Sequence, residues 1–167
     1  MIENTLKGHA ISGDIRTALL TADIDGSGGQ QQASDQTFTI NGTEVIYLPY
    51  RPNAINFVIP QGKDVISSNF TGCYMAAYKQ NGALKIAHVA TPSCNAAWAT
   101  LKNEVEVVAE FKPSDHVPMS ALQAIAQGGT APQIMGIYTN MGYCIAAAAT
   151  QANGNLIVTH MTLVKAS

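Results

Sequence analysis

Asn81-Gly82 is the feature that most restricts how this chain folds. It lies inside Asn69–Pro92, NFTGCYMAAYKQNGALKIAHVATP, between two apolar-rich runs. A two-residue type I′ turn needs φ > 0 at both central positions, and Asn-Gly meets that need. The expectation is an antiparallel hairpin with strands over Thr71–Gln80 and Ala83–Ala90. Such a turn pairs Gln80 with Ala83, so Tyr78 faces Lys85, Met75 faces His88 and Cys73 faces Ala90. Side chains alternate faces along a strand, so Cys73, Met75 and Ala77 share a face with Ile86, His88 and Ala90. Cys73 and His88 become diagonal cross-strand neighbours, a separation that long side chains bridge. A thiol beside an imidazole on a rigid sheet is the layout of an activated cysteine nucleophile.

The remaining elements follow from the same rules. Ile11, Ile15, Ala18 and Leu19 give residues 1–22 a mild helical pattern, with Ser12 as a candidate cap. ADIDGSGGQQQASDQ reads as a flexible loop. Its Asp23, Asp25, Ser27 and Gly28 fit the start of a calcium loop, but Ser34 stands where a bidentate Glu is required, so a solvated loop is expected. Thr37–Leu48 is a second hairpin around Asn41-Gly42, and Pro49, Pro52 and Pro60 break the next stretch around a short NFVI strand. Ser93 is a candidate cap for a helix over CNAAWATLKN, and Trp98 is expected to pack that helix onto a sheet. Glu104–Phe111 alternates as a half-buried strand. Ser120–Gln127 is a helix closed by Gly128-Gly129. Gln133–Thr139, Gly142–Thr150 and Asn155–Val164 are strands, the last two joined at Asn153-Gly154. Strands dominate, so the fold class expected is α+β: a single domain over residues 1–167, a two-layer, mostly antiparallel sandwich with a few flanking helices.

The last hairpin is a weak copy of the central one, with its own Cys144 and His160. Pairing Ala152 with Asn155 sets His160 opposite Ala147 and Cys144 opposite Leu163, on opposite faces. Only a β-bulge would reunite them. Cys144 is therefore assigned to the core, and Cys94 to a structural place at a helix start. His9 and His116 have no comparable partner.

Composition excludes several classes. Hydrophobic residues make up 47% and charged residues 12% of the 167, which is the reverse of a disordered chain. A net charge of −2 offers no basic footprint for nucleic acid. No apolar run is long enough to span a bilayer, and MIENTLKGHAISGDIR lacks the form of a signal peptide. Three cysteines without CxxC spacing fit reduced thiols in a cytosol. The triplets at Asn41 and Asn69 that match a glycosylation signal are taken as chance.

Phe70-Thr-Gly-Cys73, followed fifteen residues later by His88, resembles the Leu-Ser-Gly-Cys…His pattern of cysteine-dependent glutamine deamidases. That superfamily takes in cytotoxic necrotizing factors, chemoreceptor deamidases and Burkholderia lethal factor-like toxins. VIYLPY at 45–50 and AHVATPSCNAAW at 87–98 are similar to segments of the last group, so the likeness covers roughly Thr43–Leu101, about a third of the chain. The resemblance implies Cys73 as nucleophile and His88 as general base. It also implies that the main-chain carbonyl of Ser67, six residues before the cysteine, orients the histidine. It further implies a bacterial toxin or effector that converts a glutamine of a host or competitor protein to glutamate, with translation inhibition through an initiation helicase as one target. No metal or organic cofactor is expected, and the chain is expected to be a monomer, made in the cytosol and in some cases delivered to another cell's. Gly72 and Thr71 are expected to let a substrate approach the backbone, with the Cys73 amide and one near Ser67–Asn69 as candidate oxyanion donors. Two other classes fit the same residues: another Cys–His hydrolase, such as a peptidase or small-molecule amidase, and a non-catalytic binding module.

Overall fold

Alternating apolar residues and tight turns produce two stacked sheets. The computed structural model describes residues 10–11, 26–33, 36–40, 42–152 and 155–165. One sheet has seven strands in the order β1 (Ala10–Ile11), β12 (Asn155–Lys165), β11 (Cys144–Ala152), β10 (Gln133–Tyr138), β6 (Asp64–Ser68), β4 (Thr43–Pro49), β3 (Thr37–Ile40). The other has five, in the order β2 (Gln30–Gln32), β5 (Ile55–Val58), β8 (Ala83–Val89), β7 (Tyr74–Gln80), β9 (Glu106–Phe111). The β4–β6 and β2–β5 pairs are parallel and the other described pairs antiparallel. The helices are α1 (Asn95–Lys102) and α2 (Met119–Gln127), with a single 3₁₀ turn at Pro113–His116. The α+β sandwich expected from the pattern of strands is the observed fold.

Between β4 and β7 the chain changes sheet at every connection, from the large sheet to the small, back, and across again. The space between the sheets is filled by Leu48, Val65 and Ala146 from one side and Val58, Met75, Ile86 and Phe111 from the other. The outer face of the five-stranded sheet is covered by α1. Trp98 and Leu101 pack on Ala76, Tyr78, Ala87 and Val89, and Trp98 meets Tyr78 at a ring separation of 5.6 Å. The other face of the large sheet carries its own buried cluster of Val45, Tyr47, Ile66, Met135, Ile137 and Leu156.

The central hairpin forms with the predicted register, from Gln80↔Ala83 to Met75↔His88 and Tyr74↔Val89. Asn81 (φ 52°) and Gly82 (φ 80°) take the left-handed conformations a type I′ turn demands. The hairpin of β3 and β4 closes with Ile40 opposite Thr43, as expected. Four expectations change. The Cys73–Ala90 pair is not formed: the Ala90 N–H turns to Ala54 O at 3.0 Å, and Ala90 packs with the outer cluster. Gln30–Gln32, expected as loop, is a strand. Beside β5, Gln30 accepts a hydrogen bond from the Tyr78 hydroxyl at 2.6 Å; neighbouring elements supply what its composition does not. Ala10–Ile11, expected in a helix, pairs with Ile157 and Leu156, while the rest of that segment and Asp23, Asp25 and Ser34 lie outside the described residues. Finally, Cys94 rather than Ser93 occupies the cap of α1, without a side-chain cap bond.

The last hairpin departs from a simple ladder. It begins with Ala152↔Asn155, then a register shift between Ala148 and Ala149 sets Ala148 opposite His160. The bulge turns His160 to the face that carries Ala148 and Cys144. The two remain four residues apart along the strand, about 13 Å at the usual rise. Separation along the strand, and not the opposite faces expected, keeps this second Cys and His apart.

Candidate functional site

Ser67 and His88 meet because two strands, one from each sheet, turn them to the same interior, and Cys73 packs in that interior just ahead of a third. Ser67 lies near the end of β6, in register with Leu48 of β4. Ile66 beside it belongs to the far face of the large sheet, so alternation turns Ser67 toward the space between the sheets. His88 has Ala87 and Val89 on the outer face of the small sheet, so it too points inward. Cys73 sits just before β7 and packs in the same inter-sheet core.

Ser67 and His88 meet across the sandwich: Ser67 Oγ lies 2.7 Å from His88 Nδ1 and 2.6 Å from Leu48 O. These distances fix the proton positions. A carbonyl only accepts, so the single Ser67 hydroxyl proton goes to Leu48 O. Ser67 Oγ must then accept from His88, which places the ring proton on Nδ1 and leaves a lone pair on Nε2. The residue that orients the histidine is therefore the one expected, but through its side-chain hydroxyl and not its main-chain carbonyl. Ser67 lies within the ladder between β4 and β10, opposite Gly136, and only its side chain projects out of that sheet toward β8.

The imidazole is enclosed. Phe70 stacks on it at 4.0 Å and 7° between planes, and the Tyr50 ring lies 5.2 Å away. His88 is 0% exposed, and burial holds its pKa down at about 3, because a charged ring would lose its hydration. It is a neutral base at neutral pH. Its Nε2 makes no hydrogen bond within the protein, so the thiol and base are not directly bonded in this state.

Cys73 is 6% exposed, whereas Cys94 and Cys144 are 0% exposed. Burial raises the Cys94 thiol, a Ser93 hydrogen bond eases it, and Cys73 nearby raises it further. Burial pushes Cys144 up to about 11, and Lys165 offsets part of that. Thr71 is exposed and Gly72 half-buried. A methyl group on Gly72 would meet only Thr91 Oγ1, at 4.0 Å, so the backbone there is open to approach. The Thr91 hydroxyl donates to Gly72 O at 2.8 Å. That bond sets the Gly72–Cys73 peptide plane and directs the Cys73 N–H the opposite way.

Asn56 was not singled out by sequence. It lies opposite His88 in the β5–β8 ladder, is 0% exposed, and donates from Nδ2 to Pro49 O at 2.7 Å. The only sequence signal was a polar residue in an otherwise apolar strand. Phe70 and Tyr50, the walls of the imidazole, are readable as apolar residues but not as its neighbours. Among the described residues, no group of three or more His, Cys, Asp or Glu is placed to hold a metal ion, and no helix is long and apolar enough to cross a membrane. Comparison of the chain with protein-family models, with curated proteins and with solved structures finds no match.

Proposed function

We propose that this chain is a cysteine-dependent amidohydrolase acting on a glutamine side chain of another protein, as a bacterial toxin or effector does. The observation that supports this reading most is the proton arrangement: Leu48 O holds Ser67, Ser67 Oγ holds the His88 Nδ1–H, and an Nε2 lone pair without a partner in the protein remains on the face that carries Cys73. A nucleophile, a base and an orienting group are the minimum for acyl transfer to sulfur.

In this mechanism His88 Nε2 takes the Cys73 thiol proton and the thiolate attacks the carboxamide carbon. The sulfur–carbon bond forms as the carbonyl electron pair moves to oxygen, where the Cys73 N–H is the candidate donor. His88 returns the proton to nitrogen and ammonia leaves. Water, deprotonated by His88, then attacks the thioester and releases glutamate and the thiol. The chain's own residues supply every proton transfer. Burial holds the His88 pKa down at about 3, so the imidazole rests neutral and takes up a proton only in the course of the reaction.

The test is a proteome-wide search for glutamine-to-glutamate conversion, a gain of about one dalton at an attacked acyl carbon, in cells expressing the chain or its Cys73→Ser variant. Conversion with the first and not the second is the expected result. Cleaved targets would identify a peptidase on the same residues. The closure of the site favours a competing reading, a non-catalytic module in which Ser67 and His88 tie the two sheets together. Under that reading Cys73 reacts with iodoacetamide no faster than Cys94 or Cys144 in the folded protein.

A further inference from the structure

Three buried side-chain polar atoms among the described residues make no hydrogen bond within the protein: His88 Nε2, Asn56 Oδ1 and Trp98 Nε1. Two of the three belong to residues that face each other. Asn56 and His88 are direct partners in the β5–β8 ladder, which puts their side chains on the same face with Cβ atoms about 5 Å apart. The orientation of the Asn56 amide is fixed. Pro49 O only accepts, so the group 2.7 Å from it is the Nδ2 amine, and the carbonyl Oδ1 is the end left over. His88 Nε2 is likewise an acceptor, because its ring proton is on Nδ1. The resting site thus carries two buried acceptors at facing positions, neither hydrogen-bonded within the protein.

A single proton changes that balance. When His88 takes the thiol proton, Nε2 becomes a donor and Asn56 Oδ1 is the unpaired acceptor across the strand. We propose that Asn56 is a positioning residue of this site: its Oδ1 shares the Nε2–H of protonated His88 with the Cys73 sulfur and so favours the state in which Cys73 is a thiolate. The inference rests on the Cys73–His88 reading above. The interaction is unmade in the resting state and made only in the charged one, which is the kind that accelerates a step rather than stabilising its starting point. Of the titratable side chains, Tyr50 lies against the His88 ring and Cys73 shares the inter-sheet core; Asp64 lies at the opposite end of β6, where it accepts from the Asn140 N–H.

The experiment is the pH–rate profile for alkylation of Cys73 by iodoacetamide, followed by mass, in the full chain and in Asn56→Leu and Asn56→Asp variants. Sulfur gains the carboxamidomethyl group, iodide leaves, and the thiol proton passes through His88. Asn56→Leu should slow the reaction at neutral pH by about tenfold, the equivalent of one pKa unit, and move the inflection upward. Asn56→Asp keeps an acceptor and should react at least as fast as wild type. Equal loss in both variants, or none in Asn56→Leu, overturns the role of Asn56. Cys73 that is no more reactive than Cys94 in wild type overturns the nucleophile itself and this inference with it. A measurement without any variant guards against failure to fold. In an NMR titration of the wild-type chain, the Asn56 carboxamide signals should shift in step with the His88 ring protons; Asn56 signals that stay fixed while His88 titrates overturn the proposal.

Discussion

Ser67 holds two sheets and one tautomer through a single oxygen. Ser67→Ala leaves the His88 Nδ1–H without its acceptor in the interior and removes the hydroxyl bond to Leu48 O, a loss of about 1–3 kcal/mol. Denaturant unfolding should show that loss, and Cys73 alkylation should slow because the ring is no longer held. Ser67→Thr keeps the oxygen and should retain most of both. Cys73→Ser exchanges near-isosteric groups, so its melting temperature should stay close to wild type while glutamine conversion disappears; a serine variant that still converts its target sinks the nucleophile assignment. His88 links the site to pH. Its pKa is 6.5 in an ordinary setting and about 3 when folded, so between these values the unfolded chain binds a proton that the folded chain does not. Stability from this group is complete above pH 6.5 and falls as pH drops toward 3, by about 1.4 kcal/mol per unit. Urea midpoints from pH 6.5 to 4.5 should therefore fall more steeply for wild type than for His88→Gln.

At the scale of elements, the central hairpin sets the register that aims His88 inward. Gly82 has φ 80° with nothing near its absent Cβ, so Gly82→Ala tests the backbone alone. It should cost about 1–2 kcal/mol, the penalty of a side chain in the left-handed region, seen as a lower urea midpoint with an unchanged slope. The last hairpin shows the limit of a turn as a guide. Its first four pairs obey the register set by Ala152↔Asn155, and then a bulge at Ala148/Ala149 displaces the rest. The extra residue is Thr159 of β12, and nothing in that strand's sequence announces it, because a bulge answers to the twist of the sheet around it. β2 is a comparable case: a run of three glutamines has weak strand preference, and becomes a strand because β5 offers an edge.

At the scale of the whole molecule, the site exists only where the two sheets press together. Gly136 of β10 is a place of close approach: a Cβ there would lie 2.6 Å from Met75 Sδ and 3.1 Å from both Phe70 Cε2 and Pro113 Cγ. The methionine end can move, but Phe70 is stacked on His88 and has less freedom. Gly136→Ala should destabilise the fold by about 1–3 kcal/mol through overpacking and disturb Cys73 reactivity, measured by the same urea and alkylation assays. What depends on neighbours along the chain was legible in its residues: the Asn81-Gly82 turn, the pairing of Met75 with His88, the inward parity of His88, and a sandwich as the place to bury so many alternating strands. Tertiary structure alone decided what depends on the facing sheet. It selected the Ser67 hydroxyl over its carbonyl, closed Phe70 and Tyr50 around the ring, and set Asn56 beside His88. A period of two says which side chains share a face, but which strands become neighbours and what covers that face are settled by long-range packing, where no local pattern reaches.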